Sequence, residues 1–204
     1  MIDYDFINAV LAKYEGKGYT RGYVPCEGGT YFGGNEPEKG KPLGASGVTI
    51  ATGVDLGQQT LKGLSDMGIS IEPLAVLKPY IGLKKQAAIE VLKSSPLTIT
   101  AEQVREIDEM VHKYYIHNTA RGFGYERFES APKEVQAVAV SLCYQFGSPW
   151  RAVSPSLGMA WEAMQAGKYR EAAAYLSNPN GWSAEHRQYL LRRRQEAELL
   201  NTLI

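Results

Sequence analysis

Three side chains, Glu15, Thr49 and Asp55, have the types needed for acid–base work on a polar bond. Glu15 ends a run of helical periodicity and precedes Gly16, so it falls at a helix C-terminus, where the backbone dipole places partial negative charge. That charge disfavours an ionised carboxylate, and a carboxylic acid held protonated can act as a general acid. Asp55 has a different setting, between Val54 and Leu56 and ahead of a glycine and a predicted helix start. N–H donors there should keep it ionised. The threonine hydroxyl could hold a water. Each residue also has a plain reading: Glu15 as a solvated residue before a glycine, Asp55 as an N-cap for the segment near Gly57, Thr49 as a β-former.

Spacing limits what these residues can share. In "SGVTIATGVDLGQQT", Ser46 to Thr60, one parity holds Val48, Ile50 and Val54, and the other holds Thr49, Ala51, Gly53 and Asp55. A straight strand would separate Thr49 from Asp55 by ~20 Å at ~3.3 Å per residue, too far to share one water. The chain must fold back between them. Gly53 is the natural turn, because glycine accepts positive φ.

The elements around these residues follow from periodicity and punctuation. Phe6, Ile7, Val10, Leu11 and Tyr14 recur at helical spacing, with Asp3 or Asp5 as cap and Gly16 as the C′ residue, so the first helix ends at Glu15. Ten glycines from Gly16 through Gly47, with Pro25, Pro37 and Pro42, predict turns and short strands there. After Asp55 the pattern is helical. "TAEQ" at Thr100 to Gln103 is a capping box that opens a long helix. "SAPKEVQAVAVSLCYQFG" predicts a central buried helix capped by Ser130 and ending at Gly147. Amphipathic segments follow at 156–165, at 168–176 and from Ser183. This is an α+β pattern with strands confined to the first third.

A chain of 204 residues suits one domain with a substantial core. Its 22 basic and 22 acidic residues give no general pull toward nucleic acid. "MIDYDFINAVLAKYEG" carries acids where a signal peptide has bases, and no apolar run approaches the ~20 residues that span a bilayer, so neither a secretory route of its own nor membrane insertion is expected. Cys26 and Cys143 read as free thiols. A Cys/His catalytic pair is disfavoured because Cys143 lies in the most apolar helix, and His112 and His117 are five apart rather than four, so no metal site is expected. The cluster Arg192 to Arg194 reads as a solvated helix face, partly neutralised by Glu196 and Glu198.

"YEGKGYTRGYVP" followed by "SGVTIATGVDLGQ" resembles the catalytic region of pesticin-like muramidases, relatives of the phage-type lysozymes that occur as bacteriocin domains, phage endolysins and secreted antibacterial effectors. Downstream, "AVAVSLCYQFG", "SLGMAWEAMQAGKYREAAAYL" and "RQYLLRRRQEAELL" resemble, in order, three C-terminal helical stretches of phage lysozymes. The resemblance implies a lysozyme-like α+β fold, mainly helical with a small β region in the N-terminal third. It further implies a single catalytic domain over 1–204, with a small α+β lobe about 1–97 and a helical lobe about 98–204. By it, Glu15 matches the catalytic glutamate, Thr49 the water-positioning threonine and Asp55 the catalytic aspartate. Gln145 matches a glutamine that faces the cleft, and Arg187 stands where the family has an arginine paired with the glutamate, in competition with Arg192 to Arg194. Tyr144 beside Gln145, and Tyr23, complete the substrate-binding candidates. Tyr19, Tyr23, Tyr31 and Phe32 could stack on sugar faces or pack within the small sheet.

The implied reaction is hydrolysis of the β-1,4 bond between N-acetylmuramic acid and N-acetylglucosamine in peptidoglycan, without a cofactor. A lytic transglycosylase using Glu15 alone, or a non-catalytic binding module of the same shape, are the alternatives. Glu27, Glu36 and Glu38, in a segment longer than in the shorter family members, are rival carboxylates. The expected partner is the glycan strand, with an immunity protein as a second to consider and a monomer as the expected state. An enzyme of this kind without a leader would reach the wall through a phage or a secretion system.

Overall fold

The computed structural model describes residues 1–16, 18–147, 154–178, 180 and 189–204. Helix α1 (Tyr4–Glu15) is followed by strands β1 (Tyr19–Cys26), β2 (Gly29–Tyr31), β3 (Thr49–Ala51) and β4 (Val54–Asp55). A 3₁₀ turn at Leu56–Gln58 leads into α2 (Leu61–Asp66), α3 (Ile71–Leu77), α4 (Gln86–Ser94) and the long α5 (Ala101–Phe123). Then come α6 (Tyr125–Ser130), α7 (Lys133–Phe146), α8 (Pro155–Gln165), α9 (Tyr169–Ser177) and α10 (Leu190–Asn201). The chain divides into two compact units, Glu15–Tyr114 and a second formed by Met1–Tyr14 with Tyr115–Ile204.

The first unit holds the sheet, antiparallel in the order β2-β1-β3-β4. Inward residues Val24, Tyr31, Val48, Ile50 and Val54 are buried, and Leu56, Leu64, Leu77, Ile89 and Leu92 are buried in the same unit. Strand β1 pairs β3 at Tyr19↔Ala51 and Tyr23↔Thr49, so two extra residues of β1 bulge between these pairs. The bulge has its own partner: Gly22 donates its N–H to the Leu97 carbonyl at 3.0 Å, and Arg21 bridges Thr98. The capping box at α5 forms as expected, with Gln103 N–H on Thr100 Oγ1 at 3.1 Å and Thr100 N–H on Gln103 Oε1 at 3.0 Å.

The second unit is helical. Asp3 Oδ1 caps α1 by accepting from Phe6 N–H at 3.0 Å. Helix α7 is buried from Val135 through Cys143, surrounded by Ile7, Leu11, Phe123, Phe128, Trp161, Leu176 and Leu200. Ser130 does not cap α7: it closes α6 by donating its hydroxyl to the Arg127 carbonyl, and α7 starts at Lys133 behind Pro132. The buried Gln136 amide explains this break, because it donates to the Met1, Phe128 and Ala131 carbonyls and accepts from Asp3 N–H, which fixes the α6–α7 corner against the N-terminus.

The arginine run is not the solvated face expected from its charge. Arg193 and Glu196 are fully buried and paired at 2.6 Å, and Arg193 also donates to Gln145 Oε1 at 2.8 Å. Arg192 reaches Ser141 Oγ at 2.9 Å and lies 4.9 Å over the Tyr14 ring, and Ser141 donates to Glu196. Only Arg194 of the three is exposed. The carboxylate partner Glu196 comes from α10 itself, but the further acceptors Ser141 and Gln145 come from α7, which no reading of α10 alone could supply. Burial outweighs the arginines and holds the Glu196 carboxyl above its usual range. Glu196→Ala is expected to lower stability by about 3–5 kcal/mol, since it takes the counter-charge from the buried Arg193 guanidinium. Glu196→Gln, which keeps an acceptor, should cost less; chemical denaturation of both variants checks the order.

Candidate active site

Within the first unit the turn Ala51–Thr52–Gly53 folds β3 back onto β4, so Thr49 stands directly opposite Asp55 and Ile50 opposite Val54. Ala51 (φ +51°) and Gly53 (φ +85°) both take the left-handed conformation that this reversal requires. Opposed residues in an antiparallel ladder lie ~4.5–5.5 Å apart at Cα, in place of the ~20 Å of a straight strand. Because Tyr23 pairs with Thr49, and Thr49 with Asp55, the three form one row across β1, β3 and β4 with side chains on the same face.

Glu15, the last residue of α1, is half-buried, and its carboxylate lies over the exposed tip of this turn: a Cβ placed on Gly53 would sit 3.4 Å from Glu15 Oε2. Tyr23 senses both acids. Burial first, then Tyr19 and the charges of Glu15 and Asp55, push its phenol up to about 12, so it stays a neutral O–H.

Asp55 caps the 3₁₀ turn, and its Oδ1 accepts from Gly57 N–H at 2.9 Å and from Gly47 N–H at 3.0 Å. Gln58 and Lys84 add further pull toward the charged form. The expected donors are therefore present, but they do not decide the outcome: burial is the larger effect and raises the Asp55 pKa above its ordinary 3.8. The two N–H groups converge because Gly47 and Gly57 touch. A Cβ on Gly47 would meet Gly57 Cα at 2.5 Å and the Leu83 carbonyl at 2.5 Å.

Asp108, which the sequence does not single out, holds this turn: on α5 it accepts both the N–H (2.9 Å) and the hydroxyl (2.6 Å) of Thr52. The pairing joins positions 56 apart, so only the contrast between an exposed-looking Asp and a helix otherwise buried on that side could have hinted at it.

Tyr144 and Gln145 are adjacent on α7, in the other unit from Glu15, Tyr23, Thr49 and Asp55. Gln145 accepts from Arg193, and the Tyr144 ring packs on Tyr115 at 4.9 Å. Arg187 lies outside the described residues. Of the aromatics, Tyr31 is fully buried, while Tyr19, Tyr23 and Phe32 cluster at 5.0 to 6.0 Å between centroids with Tyr19 46% exposed. Two of the three rival acids are engaged elsewhere, Glu36 with Arg21 at 3.0 Å and Glu38 with Lys93 at 2.9 Å. Cys26 and Cys143 are both free and buried, and burial pushes the Cys143 thiol up to about 12, which leaves it protonated and inert. Among the described residues, no His/Cys/Asp/Glu cluster could hold a metal ion, and no helix is long and apolar enough to cross a membrane.

Comparison with known families assigns this architecture to a class. A profile described as "Pesticin: Bacterial toxin homologue of phage lysozyme, C-term" matches residues 1–170, which makes the fold lysozyme-like: α+β, mainly helical, with its small sheet in the N-terminal region. The chain belongs to the Pesticin family. No curated protein matches it. The family relationship supports a lysozyme-like function directed at peptidoglycan.

Proposed function

We propose that this chain is a muramidase that hydrolyses the β-1,4 bond between N-acetylmuramic acid and N-acetylglucosamine, acting as an endolysin or antibacterial effector. The observation that carries the reading is the hairpin that sets Thr49 against Asp55 while Gly53, at its tip, lies beneath the Glu15 carboxylate. Glu15 protonates the leaving glycosidic oxygen. Asp55, with Thr49 to hold a water, activates that water or stabilises the oxocarbenium centre. Tyr23 adds a neutral hydroxyl beside both acids, and with Tyr19 and Phe32 it offers ring faces to a pyranose. Gln145, Tyr144 and Arg187 bind the glycan strand. Residues 1–204 act as one catalytic domain and as a monomer, delivered to the wall by a phage or a secretion system and open to block by an immunity protein.

The test is digestion of purified peptidoglycan with mass spectrometry of the products. Reducing muropeptides support the hydrolase, anhydro products would make it a transglycosylase, and no release by folded protein would leave a binding module. The pH profile gives a separate check. Asp55 works ionised and its pKa is raised, so kcat/KM should climb with pH through a midpoint above 3.8. A profile already flat above pH 3.8 would remove Asp55 as the group controlling that limb.

A further inference from the structure

We propose that Asp108 is a positioning residue: by accepting both the backbone N–H and the hydroxyl of Thr52, it holds the β3–β4 turn in the conformation that opposes Thr49 to Asp55 and brings Gly53 under Glu15. This role rests on the muramidase reading for its catalytic consequence, but the clamp itself is a statement about the turn.

The turn needs an external hold. Ala51, a residue with a Cβ, sits at φ +51° beside Gly53 at φ +85°, and L residues leave the left-handed region unless their surroundings fix them there. Thr52, between the two, is buried, so its N–H must find an acceptor inside the protein. Asp108 provides it with two bonds, at 2.9 and 2.6 Å, from the side chain of one residue. A carboxylate suits the task, because it offers two acceptor oxygens to two donors.

Asp108 is itself anchored. It lies on α5 between Val104, Ile107 and Val111, all buried, on a helix whose start is locked by the reciprocal Thr100–Gln103 bonds. The segment that follows Glu15 closes over the same pair. A Cβ on Gly18 would meet Val104 Cγ1 at 2.7 Å and both Asp108 Oδ2 and Thr52 Oγ1 at 3.2 Å. Three parts of the unit therefore converge on this contact: the chain leaving Glu15, the turn between Thr49 and Asp55, and the rigid helix. His112, one turn further along α5, is buried and feels the charges of Asp108 and Glu15, which places the two acids in one neighbourhood. A shift of the turn moves Thr49 relative to Asp55 and Gly53 relative to Glu15, and displacements of ~1 Å cost up to ~10²-fold in rate.

The experiment compares wild type, Asp108→Ala, Thr52→Ala and Thr52→Ser in the full chain, by initial rates of peptidoglycan solubilisation over a range of substrate and by amide hydrogen exchange at Thr52 and Gly53. Asp108→Ala removes both acceptor oxygens, whereas an asparagine there would keep both contacts, since the Thr52 hydroxyl can accept as well as donate. We expect kcat to fall ~10- to 100-fold with KM within ~2-fold in Asp108→Ala and Thr52→Ala, faster exchange at the Thr52 amide in Asp108→Ala, and near-wild-type values in Thr52→Ser. Unchanged kcat in folded Asp108→Ala, a loss confined to KM, or Thr52→Ser as impaired as Thr52→Ala would overturn the proposal. If Asp108→Ala does not fold, the Thr52 pair decides by the same criteria. If wild type releases no muropeptide, the muramidase reading fails on its own, and the exchange comparison still tests the clamp: unchanged Thr52 protection in Asp108→Ala would refute it.

Discussion

Glu15→Gln is expected to lower the rate of muropeptide release by ~10² to 10⁴-fold while leaving binding of the glycan strand close to wild type, the range that a positioned general acid contributes. The substitution preserves size and the approach of the side chain to Gly53. What it removes is the transferable proton. A glutamine cannot protonate the leaving oxygen, so the loss should appear in kcat and kcat/KM together, the pattern of an interaction made only in the transition state. Glu36 and Glu38 are held in surface ion pairs, and it is the Glu15 carboxylate that lies at the tip of the Thr49–Asp55 hairpin. A folded Glu15→Gln protein within ~10-fold of wild-type kcat would take the general-acid role away from this residue.

Asp55→Asn should separate activity from stability. Rate is expected to fall by at least ~10²-fold, because an amide neither activates water nor stabilises a cation as a carboxylate does. Stability should hold or rise. The folded-state pKa of Asp55 is raised, chiefly by burial, so folding disfavours the charged form; its contribution to stability is fullest at low pH and declines as pH rises through the folded value. A neutral amide escapes that decline and still offers Oδ1 to the N–H groups of Gly47 and Gly57. Asp55→Ala removes the acceptor as well. It leaves two buried backbone donors unpaired, at about 1–3 kcal/mol each, and should lower Tm clearly. Thermal melts at neutral pH together with product analysis test this ordering. A large drop in Tm for Asp55→Asn would show that the carboxylate serves the fold rather than the reaction.

Local rules make several of these features readable in the chain. The alternation through Ser46 to Thr60, with a glycine where the reversal had to fall, foretold that Thr49 and Asp55 could meet, and they are paired at that register. The end of α1 at Glu15 and the start of α5 at the Thr100 box were equally legible, because caps and left-handed glycines act within a few residues of themselves. The ordered motifs also gave the family, which the match over residues 1–170 bears out.

Other features depended on segments far apart in the chain. The run Arg192 to Arg194 reads as solvated because charge is costly to bury; that cost is met by Glu196 on the same helix together with Ser141 and Gln145 from a different one. The donors expected at Asp55 exist, yet the balance between them and burial is set by how Gly47, Gly57 and Leu83 pack, which no local pattern expresses. Asp108 looks like any acid on a long helix until its carboxylate is found on Thr52. Where helices stop and strands reverse is written in the chain locally, since φ preferences and hydrophobic period are properties of neighbouring residues. Which polar groups are buried, and by whom they are satisfied, emerges with the packed fold, since desolvation and hydrogen bonding are settled between residues tens of positions apart.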